Sequence, residues 1–176
     1  GVGNTNETLE VIKNTGKCNG LVNIEHISEI LPKSKIRRLK RLPKMVLSLA
    51  SLAYEQSDKK IKPSSIFFGT GWGALSETFD FLDKLYESGE QFPSPTDFIG
   101  SVHNAPAGQA AIWFEAKKAN ITATGGDFSF EQALLSAELL SRNKDEAVML
   151  IGADEHHGVL SGVLDGSVAL DAFPSD

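Results

Sequence analysis

Cysteine is almost missing from this chain: Cys18 stands alone among 176 residues. One thiol cannot close an internal disulfide or build a multi-cysteine metal site, and in the polar stretch NTGKCNG it reads as incidental. Long apolar runs are missing as well. None approaches the roughly 18 residues that a membrane-crossing helix needs, and the polar start GVGNTNETLE carries no signal-peptide pattern. A soluble, cytoplasmic protein is therefore expected, with no membrane span. The first residue is Gly rather than Met, which suggests a processed or engineered N-terminus. Repeats, low-complexity tracts and linkers are absent too. With 41% hydrophobic residues, the chain is expected to bury one core as a single domain, 1–176. Its core spans about 21–171, and residues 1–20 form a polar lead-in without periodicity that suits disorder.

Acidic residues outnumber basic ones, for a net charge of −6, but the basic ones are clustered. Lys33, Lys35, Arg37, Arg38, Lys40, Arg41 and Lys44 place seven of the seventeen within twelve positions. An acidic chain with one basic strip argues against general nucleic-acid binding and leaves room for one acidic partner. The plainer account of the strip is a solvated helix face.

What is present is alternation. Leu21-Val22-Asn23-Ile24 reads as a short edge strand. From Ser34, apolar residues recur every three or four positions (Ile36, Leu39, Leu42, Met45, Val46, Leu49, Leu52), which predicts an amphipathic helix to about Tyr54. Pro43 inside it predicts a kink or break, with a basic first segment and a more buried second one. Ser65-Ile66-Phe67-Phe68 is a strand that runs into Gly69-Thr70-Gly71-Trp72-Gly73, followed by a helix with Leu75, Phe79, Leu82 and Leu85 or Tyr86 on one face. Phe92-Pro93-Ser94-Pro95 reads as punctuation. His103-Asn104-Ala105-Pro106 predicts a helix start, with Asn104 as cap, continuing to about Lys118.

The segment 121–140, ITATGGDFSFEQALLSAELL, reads as strand, glycine turn and helix. Such a turn can present one side chain, or free helix N–H groups, to a substrate at the end of a strand. Ala147-Val148-Met149-Leu150-Ile151-Gly152 predicts a strand covered on both faces. Gly166-Ser167-Val168-Ala169-Leu170 is a candidate last strand. Strands alternating with helices imply an α/β layered domain, with a mostly parallel mixed sheet and helices on both faces.

The series IRRLKRLPKMVLSLASLA, SSIFFGTGWGAL, SPTDFIGSVHNAPAGQAAI, ITATGGDFSFEQALLSAELL and EAVMLIGADE resembles, in order, the N-terminal half of β-ketoacyl synthases. Within that family it is most similar to the divergent chain-length-factor-like branch, whose members carry a comparable SVHN segment. The resemblance implies half of a thiolase-like layered fold. It also implies condensing chemistry on a cysteine at the turn between a strand and a helix, where the helix N-terminus lowers the thiol pKa. That cysteine falls near Gly126 or Asp127, and none is there. The family's two histidines, or histidine and asparagine, belong to the C-terminal half, and His103, His156 and His157 match none of them. The resemblance then implies a non-catalytic subunit or partner in fatty-acid, polyketide or aryl-polyene synthesis, as a homodimer or as a heterodimer with a ketoacyl synthase subunit. An acyl carrier protein is an implied partner because such carriers are acidic. No cofactor and no metal are implied.

The rival reading is an acyl-thioester enzyme, an acyltransferase, thioesterase or decarboxylase, that uses Asp127, Ser129 or His103. Each has a structural account beside it. Asp127 suits a helix N-terminus by its charge. Ser129-Phe130-Glu131-Gln132 fits a capping box. His103 fixes a helix start. Candidate binding residues are Asn104, Phe128, Arg37, Arg38, Lys40 and Arg41. Gly69-Thr70-Gly71-Trp72-Gly73 has G-x-G-x-G spacing and lacks the later acidic residue that dinucleotide binding requires. Asp154-Glu155-His156-His157 points its side chains in alternating directions and makes a poor metal cage.

Overall fold

The computed structural model describes residues 10, 13–14, 29–58, 60–141 and 146–155. Cys18, the patch 21–24, His156, His157 and the candidate strand 166–170 lie outside them.

The fold is organised on β1 (Ser65–Gly69), whose five residues are all buried. It pairs in parallel with β2 (Asn120–Ala123) on one side and β3 (Val148–Gly152) on the other, in the order β2-β1-β3. Phe67 lies opposite Ile121 and Leu150 in this register. Both strand faces are covered. On one, Ile66 and Phe68 meet Leu42, Met45 and Val46 of α2 (Arg41–Gln56) and Ala107, Ala110 and Phe114 of α5 (Ala105–Phe114). On the other lies α6 (Ser129–Leu140), which touches all three strands through a small-residue stripe of Ser129, Ala133 and Ala137. The connection from β1 to β2 moves one way with α5 on one face, and that from β2 to β3 moves back with α6 on the opposite face. The two crossovers therefore share one hand, as chain chirality demands. This is the expected α/β arrangement with helices on both faces, and among the described residues the sheet is wholly parallel.

Several local expectations change. The break in the first helix precedes Pro43: α1 (Lys33–Ile36) ends in a turn at 37–40, and Pro43 sits in the first turn of α2, where its missing N–H costs nothing. The predicted contrast holds, because α1 is basic and α2 buries one face. The Ser94-Pro95 punctuation starts a helix, α4 (Pro95–Ser101), with the Ser94 hydroxyl accepting from the Asp97 N–H at 3.2 Å. α5 stops at Phe114, four residues before Lys118, in a left-handed Glu115. Asn104 stands at its N-cap without a side-chain cap bond. β3 is half-buried rather than covered on both faces, because it has only β1 beside it among the described residues.

The apolar face of α3 (Leu75–Glu87) meets no core: Phe79, Leu82 and Tyr86 are exposed and the one buried residue is Glu77. α3 packs instead on α4, with the Phe81 and Phe98 rings 5.8 Å apart. Phe130, Leu134, Leu135, Leu139 and Leu140 on the outer side of α6 are exposed too. None of the described helices is long and apolar enough to cross a membrane.

Candidate functional site

The C-terminal ends of parallel strands leave a crevice where the connections diverge. Here it is a cavity of about 580 Å³. Gly69 ends β1 and Gly71 and Trp72 follow it, Gly126 and Asp127 lead into α6 and Ser129 and Phe130 open it, and Gly152 ends β3 ahead of Ala153 and Asp154.

Two close approaches shape it. A Cβ on Gly69 would lie 2.7 Å from both the Phe130 Cα and the Ser129 carbonyl oxygen. Only glycine lets the start of α6 come this near to β1. Gly73 has φ +64°, and a Cβ there would meet the His103 ring at 2.1 Å, so His103 packs against the glycine turn.

Asp154 holds the first loop. Its carboxylate accepts from the Thr70 hydroxyl at 2.7 Å and from the N–H groups of Gly71 and Trp72 at 3.1 and 3.0 Å. The Thr70 oxygen in turn accepts from the Gly73 N–H at 2.9 Å. One carboxylate at the end of β3 thereby fixes the whole turn that follows β1. The Gly-Thr-Gly turn followed by an acid beyond the adjacent strand was the available signal for this latch.

The Ser129 capping box does not form. A 3₁₀ turn, Gly126–Phe128, leads straight into α6, so Ser129 already has helical torsions (φ −60°, ψ −40°) and is not an N-cap. Its hydroxyl bonds backwards, donating to the Gly126 carbonyl at 2.6 Å and accepting from the Gly125 N–H at 2.8 Å. This hydroxyl is buried, and its proton is committed to the Gly126 carbonyl.

The other candidates divide into separate places. Asp127 lines the cleft and lies in the first turn, where its charge complements the helix dipole. Phe128 is exposed next to it. His103 is outside the cleft lining. Asn104, Arg38 and Lys40 surround a second hollow, of about 390 Å³, between α2, α3, α4 and α5, which shares no lining residue with the first. Arg37 and Arg41 are exposed on the adjoining basic strip. Among the described residues no group of three His, Cys, Asp or Glu side chains could hold a metal ion.

The sequence model described as "Beta-ketoacyl synthase, N-terminal domain" matches residues 20–158. The chain belongs to this family. No curated protein matches it. Among solved structures, this β-ketoacyl synthase N-terminal domain is similar to a chain from the "Ketosynthase (ApeO) in Complex with its Chain Length Factor (ApeC)" from Xenorhabdus doucetiae. The TM-score is 0.66 at 21% identity, over 92% of this chain and 67% of that one. It is also similar to a β-ketoacyl synthase from Burkholderia phymatum STM815, with a TM-score of 0.60 at 18% identity, over 86% of this chain and 37% of that one. At these identities the likeness establishes the fold, that of the thiolase-like ketosynthases. Three residues of the turn 125–129, Gly126, Asp127 and Ser129, line this crevice.

Proposed function

We propose that this single domain is a non-condensing, chain-length-factor-like partner of a β-ketoacyl synthase in the building of fatty-acid, polyketide or aryl-polyene-type acyl chains. The observation that carries the reading is the turn itself. The resemblance puts the acyl-bearing cysteine near Gly126 or Asp127, where the sequence has none, and the Ser129 hydroxyl is tied to the Gly125 N–H and the Gly126 carbonyl. The strand, turn and helix are retained without the cysteine that would carry the thioester.

Partnership is supported by the surface. The outer face of α6 exposes Phe130, Leu134, Leu135, Leu139 and Leu140, a run of large apolar groups that water does not favour. β2 has one strand neighbour among the described residues, and Ile112 on α5 is exposed nearby. A second subunit covering β2 and α5, either another copy or a ketosynthase, would bury such surface. The similar structure that contains a ketosynthase with its chain length factor supports the heteromeric choice. The basic strip with Arg37, Arg38, Lys40 and Arg41 would dock an acidic acyl carrier protein.

Asp127 is the residue that keeps an enzyme reading in contention, since it lines the cleft. Co-expression with a ketosynthase separates the two. The proposal expects a stoichiometric complex whose condensing activity survives Asp127→Ala in this chain. Turnover of acyl- or malonyl-thioesters by this chain alone, lost in Asp127→Ala or Ser129→Ala, would replace it with the enzyme reading.

A further inference from the structure

One side of α3 is left unused by the cleft, by the basic strip and by the proposed subunit contact. Leu82, Asp83, Tyr86 and Glu87 recur at three- and four-residue spacing, which places them on a single helix face. All four are exposed, Tyr86 to 84% and Leu82 to 51%. Glu90 and Phe92, both exposed, follow just beyond the helix. α4 does not cover this face: it engages α3 through Phe81, whose ring is 5.8 Å from that of Phe98, and through Lys84, which binds Asp97 at 2.9 Å. The charges on the face are all of one sign. Lys84 is the only base in α3 and Asp97 holds it, while Lys40 reaches Asp80 at 3.5 Å. Asp83, Glu87 and Glu90 meet no cation among the described residues.

We propose that this face docks a cationic amphipathic helix of another protein, whose apolar side covers Leu82 and Tyr86 and whose lysines or arginines lie against Asp83, Glu87 and Glu90. Large apolar groups held in water favour a covering surface, and the acids around them select its charge. Two helices laid side by side bury an apolar seam and flank it with opposite charges. A second copy of this chain is the poorer fit. Its basic segment, 33–44, has the charges, but Ile36 and Leu42 are buried in their own chain and Leu39 packs there too, so its apolar side is already covered. The face is also distinct from the carrier contact proposed for the basic strip. An acidic carrier would be repelled by Asp83, Glu87 and Glu90.

The test titrates the full chain into a dye-labelled helical peptide of lysine and leucine and reads fluorescence anisotropy. Binding is expected and should weaken as salt rises from about 0.1 M to about 1 M, whereas the same peptide with glutamate in place of lysine should not bind. Reversing both charges, Asp83→Lys with Glu87→Lys, should weaken binding by about tenfold or more, and Tyr86→Ala by about as much. The neutral pair Asp83→Asn with Glu87→Gln should weaken it less than the reversal does. The same reversal on α6, Glu131→Lys with Glu138→Lys, should leave it within about twofold of wild type. Every changed residue is exposed, so circular dichroism should be unchanged in all of these chains. No binding by the wild-type chain overturns the proposal, as do equal losses from the α3 and α6 reversals. Self-association that disappears in the α3 reversal while the peptide fails to bind gives the face to a second copy and overturns it too.

Discussion

Replacing Asp154 with alanine removes the acceptor for three donors at once, and its cost can be worked from their surroundings. Hydrogen bonds to a charged group contribute roughly 1.5–3 kcal/mol each, yet the three do not add here. Asp154 is itself exposed, and water can reach the N–H groups of Trp72 and, in part, Gly71 once the carboxylate is gone. The Thr70 hydroxyl is 1% exposed and cannot be rehydrated in place, so its lost partner dominates. The net destabilisation is about 1–3 kcal/mol, or a Tm lowered by about 2–12 °C for a chain of this size. Chemical denaturation monitored by fluorescence reads it directly, because Trp72 sits on the turn that is released. A double-mutant cycle with Thr70→Val isolates the pair and should return a coupling of about 0.5–3 kcal/mol. An Asp154→Ala chain within about 0.5 kcal/mol of wild type, or a cycle with no coupling, would refute the latch.

Other outcomes follow from the same geometry. Gly69→Ala drives a methyl into the backbone of Ser129 and Phe130 and should cost about 1–3 kcal/mol or more in a denaturant titration, whereas an unchanged midpoint would show that α6 can back away from β1. Ser129→Ala leaves the Gly125 N–H without its acceptor and should cost about 1–3 kcal/mol with no change in the condensing rate of a ketosynthase complex; a rate loss without a stability loss would make Ser129 catalytic. The chain alone at tens of micromolar should scatter light as a dimer or larger, and Leu134→Glu or Ile112→Glu should reduce that association; a monomer in the wild type would show that these faces need no cover.

Much of the fold was legible because β1 and α2 obey simple patterns: a continuous apolar strand for two covered faces, and a three-four spacing for one. α4 was missed although Ser94-Pro95-Thr96-Asp97 carries the start signal, because the two prolines around Ser94 dominated the reading. The open faces of α3 and α6 could not be read at all, since periodicity reveals that a helix has an apolar side but not whether this chain supplies its cover. At the cleft, the glycine turn was found from sequence, while the use made of Ser129 was not. A capping box requires a residue outside the helix, and the 3₁₀ turn had already carried Ser129 inside. Asp154 acts across 84 positions of chain on Thr70, a contact that local spacing does not encode.

The central claim is that the turn 125–129 retains its geometry without a nucleophile. Intact-protein mass spectrometry of the chain after incubation with an acyl-pantetheine thioester, followed by peptide mapping, tests it most directly. The account predicts no acyl adduct within residues 121–132, alone or in complex with a ketosynthase. An acyl group mapped to Asp127 or Ser129 would contradict it.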